Sequence, residues 1–309
     1  MGNRPPINFS IQLPSAPDLP TWTDTVRRAE DGGFYSVSVP DHLGPSLPQL
    51  APLVALAAAI PVTTTVRLAT TVLDNDFRHP VMLAKEIATL DVLSGGRVDL
   101  GIGAGWLAED YTTTGVATWD PPKIRIDRLE ESIGVLRALF SGEPVTHEGT
   151  HYRIDGFTSY PVPVQSPVPL MMGVRGPRML RLAARHAQII SVLFSDAPGG
   201  KSRAAFEEQL QVVTDAGARE RDDVQLGIRI PLGLITGPGE SADGAAATLG
   251  ARVGLSAEEV LDSPYAVVGD PARVRDGLVE LAERYGITYV TLSGDLAWQL
   301  APVVDELSR

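Results

Sequence analysis

The chain has 309 residues, 44% of them hydrophobic and 21% charged, with a formal net charge of -12 and no cysteine. That mixture suits a globular protein with a substantial core, and the acidic balance argues against a nucleic-acid binder, which needs a basic face for phosphates. Without cysteine, disulfides, thiolate metal sites and cysteine nucleophiles are excluded.

At the N-terminus, Met1-Gly2-Asn3-Arg4-Pro5-Pro6 has no apolar segment and no small-residue cleavage site, and Pro6 breaks the Gly2 lipidation pattern, so a cytoplasmic protein is expected. The first strand is predicted over residues 7–13. A helix follows from Thr21, with Thr21 and Asp24 as a capping-box-like pair and Gly32-Gly33 as its end, and then a strand over 34–39. The longest apolar run, 47–60, contains Pro48 and Pro52 and is too short to span a bilayer, so no membrane contact is expected. A helix over 48–60 would be apolar on nearly all sides, which places it under other layers or in a subunit interface.

Residues 66–72 are predicted as the third strand, followed by a helix opening at Pro80 and closed by Gly95-Gly96; residues 98–102 are the fourth strand. Ile126, Leu129, Ile133, Leu136 and Leu139 recur at steps of three and four and mark a helix over 125–140. Between 143 and 169 the Gly, Pro and alternating residues predict a small hairpin on the rim. The alternation resumes with strand 169–172, helix 176–185, strand 187–192 and helix 201–218; residues 225–235 are the seventh strand. Residues 237–264 are an insertion with helical pieces such as 256–261. Asp270-Pro271 then caps and opens a helix ended by Gly286, and 287–292 is the eighth strand. Eight strands alternating with helices, and no evident linker, predict a single (β/α)8 TIM barrel over 1–309 with rim insertions at about 143–168 and 237–264.

In such a barrel, functional residues lie at the C-terminal strand ends. That selects Asp41 and His42 after strand two; Thr71, Val72 and Asp74-Asn75 after strand three; Ala104, Gly105 and Trp106 after strand four; Gly173, Val174, Arg175, Gly176 and Pro177 after strand five; and Ser191 after strand six. A carboxylate and an imidazole at one strand end can bind a polar cofactor edge and move a proton near neutral pH, which makes Asp41 and His42 the catalytic candidates. The competing view is a helix-capping Asp and a structural His. Gly173–Pro177 opens a helix, where free N–H groups and the dipole attract an anion; an ordinary βα turn is the plainer alternative. Arg178, Arg181 and Arg185 share one helix face, which is a solvated face unless Arg175 or Arg178 meets an anionic cofactor tail. Gly101-Ile102-Gly103-Ala104-Gly105 lacks the dinucleotide GxGxxG spacing, and no Ser-His-Asp set, His-rich metal spacing or P-loop is present.

Val39-Pro40-Asp41-His42, Arg78-His79-Pro80, Ala88-Thr89-Leu90-Asp91, Ser94-Gly95-Gly96-Arg97-Val98 and Gly101–Trp106 together resemble the luciferase-like monooxygenase superfamily. Gly176-Pro177-Arg178 through His186-Ala187, with Val268-Gly269-Asp270-Pro271, resemble its deazaflavin-dependent branch. The resemblance implies a coenzyme F420-dependent oxidoreductase that moves a hydride between the deazaflavin C5 and a small organic substrate, with FMN as the alternative cofactor. Asp41 would meet the polar edge of the ring, His42 would face the substrate, Trp106 would wall the pocket, and Gly173–Pro177 would hold the cofactor phosphate. It also implies a non-proline cis peptide at Thr71-Val72 and a homodimer. Sugar-phosphate dehydrogenases of that branch carry a catalytic Glu where this chain has Trp106, which puts sugar-phosphate oxidation in doubt. An FMN-dependent monooxygenase and a non-catalytic cofactor-binding protein are the alternatives. Arginine far outnumbers lysine, as in high-GC actinobacterial proteins.

Overall fold

Parallel strands alternate with helices along the whole computed structural model, which describes residues 6–308; the pattern at Met1–Pro5 lies outside the described residues. The strands are β1 (Asn8–Gln12), β2 (Ser36–Val39), β3 (Arg67–Thr70), β4 (Val98–Gly103), β5 (Leu170–Val174), β6 (Ile189–Val192), β7 (Gln225–Ile230) and β8 (Ile287–Ser293). These are the strands of a (β/α)8 barrel, as the alternation predicts. The chain divides into two compact units, one of Met1–Gln12, Arg28–Ser36 and Val174–Arg309, the other of Leu13–Arg27 and Val37–Gly173.

In the second of these, β3 pairs with β4 through Leu68↔Val98 and Ala69↔Asp99, and β4 pairs with β5 through Leu100↔Leu170. After β3 the Thr71–Val72 peptide is cis, as the resemblance implies, and a short strand, Leu73–Asp74, rejoins β4 at Ile102 and Gly103. Gly101 permits this course, because a Cβ there would land on the Thr70 carbonyl. The glycines at 101 and 103 thus make room for the neighbouring Thr70 and Val72. Helix Pro80–Ser94 starts where His79 Nδ1 accepts the Val81 N–H at 3.2 Å, so His79 is a cap. Against it packs helix Pro122–Phe140, which buries Leu129, Ile133, Leu136 and Leu139. The rim hairpin is Val145–Glu148 against Arg153–Phe157.

In the first unit the parallel order is β1-β8-β7-β6. Ile7 donates its N–H to Leu307 at 3.0 Å, which ties the start of β1 to helix Ala301–Leu307.

Three expectations need correction. Helix Leu19–Asp31 begins before Thr21, because Asp18 rather than the Thr21/Asp24 pair supplies the cap and accepts the Thr21 N–H at 2.8 Å. The apolar helix runs only over Pro52–Ala59, since the Leu50 N–H is drawn to the Pro14 carbonyl at 2.9 Å and Pro52 fits the first helical turn. One of its residues, Val54, is exposed, while Ala55, Leu56 and Ala59 are buried. The predicted seventh strand is two strands: after β7, Leu232–Ile235 pairs with Ala266–Gly269 in a separate small sheet. The insertion, with helices Ala242–Val253 and Ala257–Asp262, covers that sheet around Ala246, Leu249, Val260 and Val268. Helices Gly294–Gln299 and Ala301–Leu307 were not predicted at all. Among the described residues, no helix is long and apolar enough to cross a membrane.

Candidate active site

At the end of β2, Asp41 is buried and takes Arg78 Nη1 at 2.5 Å, Arg78 Nη2 at 3.2 Å and the Asp74 N–H at 3.1 Å. It is therefore no helix cap: its carboxylate fastens the strand-two end to the segment after β3. Asp74 in turn accepts the Asp76 N–H at 3.0 Å and the Tyr111 hydroxyl at 2.6 and 2.7 Å. Burial pushes its carboxyl from 3.8 up to about 6, and the Tyr111 and Asp76 N–H bonds offset only part of that penalty. Burial first, and then the Asp74 charge, push the Tyr111 phenol upward. Asp76 is paired with Arg128 at 2.8 Å.

His42 is anchored from both sides. Its N–H reaches Gln49 Oε1 at 2.9 Å, and its ring Nδ1 lies 2.7 Å from Asp110 Oδ2. Asp110 is only 3% exposed and its other oxygen takes the Leu43 N–H at 3.0 Å. Since a carboxylate only accepts, the ring nitrogen facing Asp110 carries a proton, and in the neutral imidazole Nε2 then keeps its lone pair. No described residue bonds to Nε2, and the side chain is 15% exposed, so this atom is available. Trp106 stands edge-on to the imidazole with ring centroids 5.3 Å apart, and is 59% exposed.

Asp110 and Tyr111 are consecutive residues of the short helix Ala108–Thr112, so one turn orients His42 with one side chain and holds Asp74 with the next. The loop before that helix is clamped by buried Arg125, which donates to the Ala104 carbonyl at 2.7 Å and also to that of Gly105. Arg125 also lies over the Trp119 ring at 3.8 Å and reaches the Asp120 carbonyl at 2.9 Å. Gly105 has φ +71°, and a Cβ there would fall on the Tyr111 hydroxyl and the Asp74 carboxylate. Thr71, Val72, Ala104 and Gly105 are partly exposed beside this framework.

These positions of the second unit, Asp41, His42, Thr71, Val72, Asp74, Ala104, Gly105 and Trp106, are brought to neighbouring strand ends. Gly173 closes that unit on β5. The other candidates belong to the first unit. Val174 is buried, Arg175 is exposed and paired with Asp196 at 3.1 Å, and Gly176 at φ +77° precedes Pro177. Helix Pro177–His186 has no side-chain cap at its start, which leaves first-turn N–H groups for an anion. Ser191 is buried on β6 opposite Gly227.

Sequence reasoning missed Asp110, Tyr111 and Arg125, and gave Arg78 no role. The available signal for Asp110 is its position one helical turn after Trp106.

The luciferase-like monooxygenase family model matches residues 6–242. An F420-dependent glucose-6-phosphate dehydrogenase of Microbacterium testaceum is 38% identical over 63% of this chain and 59% of its own length. One of Intrasporangium calvum is 34% identical over 70% of this chain and 66% of its own. The chain thus spans less than two thirds of the curated relatives it matches. Among solved structures, the coenzyme F420-dependent tetrahydromethanopterin reductase of Methanopyrus kandleri is similar in fold, with a TM-score of 0.75 at 20% identity over 99% of this chain and 98% of that one. On the family match, which covers most of its length, this chain belongs to the luciferase-like monooxygenase family.

Proposed function

We propose that the chain is a coenzyme F420-dependent oxidoreductase acting on a small organic substrate, in the cytoplasm and as a homodimer. The observation that carries this reading is His42, with Nδ1 bonded to Asp110, Nε2 open and Trp106 against its ring. The relatives named for F420 chemistry support the choice of cofactor.

The residues fit a planar ring: partly exposed Thr71, Val72, Ala104 and Gly105 lie at adjoining strand ends beside the exposed Trp106 indole, with no charged side chain among them. When bound, the deazaflavin supplies a hydride acceptor or donor at C5. In the oxidative direction, His42 Nε2 takes the proton of a substrate hydroxyl, and Asp110 stabilises the imidazolium that results. Arg125 and Gly105 hold the loop backbone, so that Trp106 walls the substrate on one side. Asp41, fixed by Arg78, would present its one remaining Oδ1 lone pair to the polar edge of the ring. The N–H groups opening helix Pro177–His186, with Gly173, Val174, Arg175 and Gly176 before it, take the cofactor phosphate, and buried Ser191 contributes a hydroxyl.

A fluorescence titration with coenzyme F420 and with FMN tests this. Saturable F420 binding without FMN binding is expected. FMN binding accompanied by oxygen consumption would instead make the protein a flavin monooxygenase, and a monomeric mass in solution would end the dimer assignment.

A further inference from the structure

Most polar side chains buried in this protein are matched by a partner. Arg229 on β7 is an exception: its Nε is buried without a hydrogen-bond partner among the described residues. Among the described residues its one bond is from Nη2 to Gln12 Oε1, at 3.0 Å. No carboxylate stands against it among the described residues. Burial alone shifts its pKa, downward, with no contribution from a neighbouring charge. Beside it on β8, Thr291 is 1% exposed and its Oγ1 is likewise without a partner.

The two orphans are neighbours. Arg229 and Thr291 are register partners in the parallel pair β7–β8, and Thr291 is the register partner of Ser10 on β1, so their side chains project from the same face. Gln12 is the last residue of β1, Arg229 the last but one of β7, and Thr291 lies two residues from the end of β8. All three therefore sit toward the C-terminal strand ends, where barrels of this class bind their ligands. An uncompensated guanidinium and an unsatisfied buried hydroxyl both weigh against folding. They are explained together if something absent from the apoprotein accepts from both.

We propose that Arg229 and Thr291, with Gln12 holding the guanidinium, form a subsite for a carboxylate group of the substrate. A carboxylate accepts two parallel N–H bonds from an arginine fork and has lone pairs left for the Thr291 hydroxyl. Its single charge matches the single cation, whereas a phosphate dianion would stay half-compensated in a partly desolvated place. Calling the ligand a substrate rests on the oxidoreductase reading above; the anion site itself does not, and it can be measured without cofactor.

Thermal unfolding of the apoprotein provides the test, with sodium acetate titrated against sodium chloride at matched ionic strength. For the natural sequence acetate should raise Tm by about 1–3 °C over chloride, as expected of a ligand that binds only the folded state. Arg229→Met should lose that increment and start from an equal or higher Tm in acetate-free buffer, because it removes an uncompensated charge. Thr291→Val, which keeps the side-chain shape and removes the unsatisfied hydroxyl, should start from an equal or higher Tm and lose part of the increment. An acetate effect that persists in Arg229→Met overturns the proposal, as does no effect in the natural sequence, or an unfolded or less stable Arg229→Met protein. A larger response to inorganic phosphate than to acetate overturns the choice of carboxylate. Coenzyme F420 titration separates the sources: a Kd unchanged by Arg229→Met leaves the subsite to substrate, and a rise of about tenfold or more assigns it to the cofactor and overturns the proposal. Absence of F420 binding in the natural sequence would sink the cofactor reading and leave the acetate result standing.

Discussion

Asp110 Oδ2 lies 2.7 Å from His42 Nδ1 while Asp110 Oδ1 takes the Leu43 N–H at 3.0 Å, so a single buried acid fixes both the ring of His42 and the backbone that follows it. Orientation and tautomer of the imidazole are set before any substrate arrives.

Asp110→Asn preserves the shape of that contact and removes its charge. An amide can offer an N–H to Nδ1, which would move the ring proton to Nε2 and occupy the position needed to accept a proton. Turnover should fall by roughly 10²- to 10⁴-fold, with the Kd of coenzyme F420 unchanged. A Kd that weakens in step with turnover would mean that Asp110 shapes the cofactor site instead of directing the imidazole.

His42→Ala deletes the proton acceptor and leaves Asp110 buried without its partner. A loss of about 10²- to 10⁴-fold in kcat is expected, with little change in cofactor affinity. Turnover left untouched by the substitution would show that His42 is not the proton acceptor, and F420 binding without turnover in the natural sequence would favour the non-catalytic binding protein.

The two catalytic candidates were legible in sequence because the strand-end rule places Asp41 and His42 where chemistry occurs. Their partners were not. Asp110 and His42 are 68 positions apart, and the contact depends on a five-residue helix too short to carry a periodic pattern. The alternation of strands and helices gave the barrel, but residues 225–235 looked like one strand because both halves are apolar; which sheet each half joins depends on Ala266–Gly269, distant in sequence. Gly105 is a strand-end candidate in the sequence. In the folded chain its missing side chain makes room for the Asp74–Tyr111 bond.

Gly105→Ala combines two costs at that point. The backbone φ of +71° is unfavourable for an L side chain, and the new methyl group would meet Tyr111 and Asp74. A destabilisation of about 2–4 kcal/mol is expected from the conformation and the overpacking together. Chemical denaturation measures it, and a midpoint equal to that of the natural sequence would show that the loop can move aside without cost.

Asp74 makes stability depend on pH in a direction opposite to that of an ordinary ion-paired acid. Its carboxyl is raised from 3.8 to about 6, so between those values the folded state holds a proton that the unfolded chain has released. Stability from this group is therefore fully present below pH 3.8 and is lost as pH rises through about 6. The loss is on the order of 2–3 kcal/mol at most, since a tenfold change in proton affinity is worth about 1.4 kcal/mol. Asp74→Asn keeps an acceptor for the Tyr111 hydroxyl and the Asp76 N–H but has nothing to titrate. Subtracting its Tm-against-pH curve from that of the natural sequence removes the carboxylates common to both. The difference should shift toward the natural sequence as pH falls from 7 to 4, in the interval set by the raised carboxyl. Parallel curves would mean that Asp74 titrates like an exposed carboxylate, and that the Tyr111 hydroxyl compensates its burial in full.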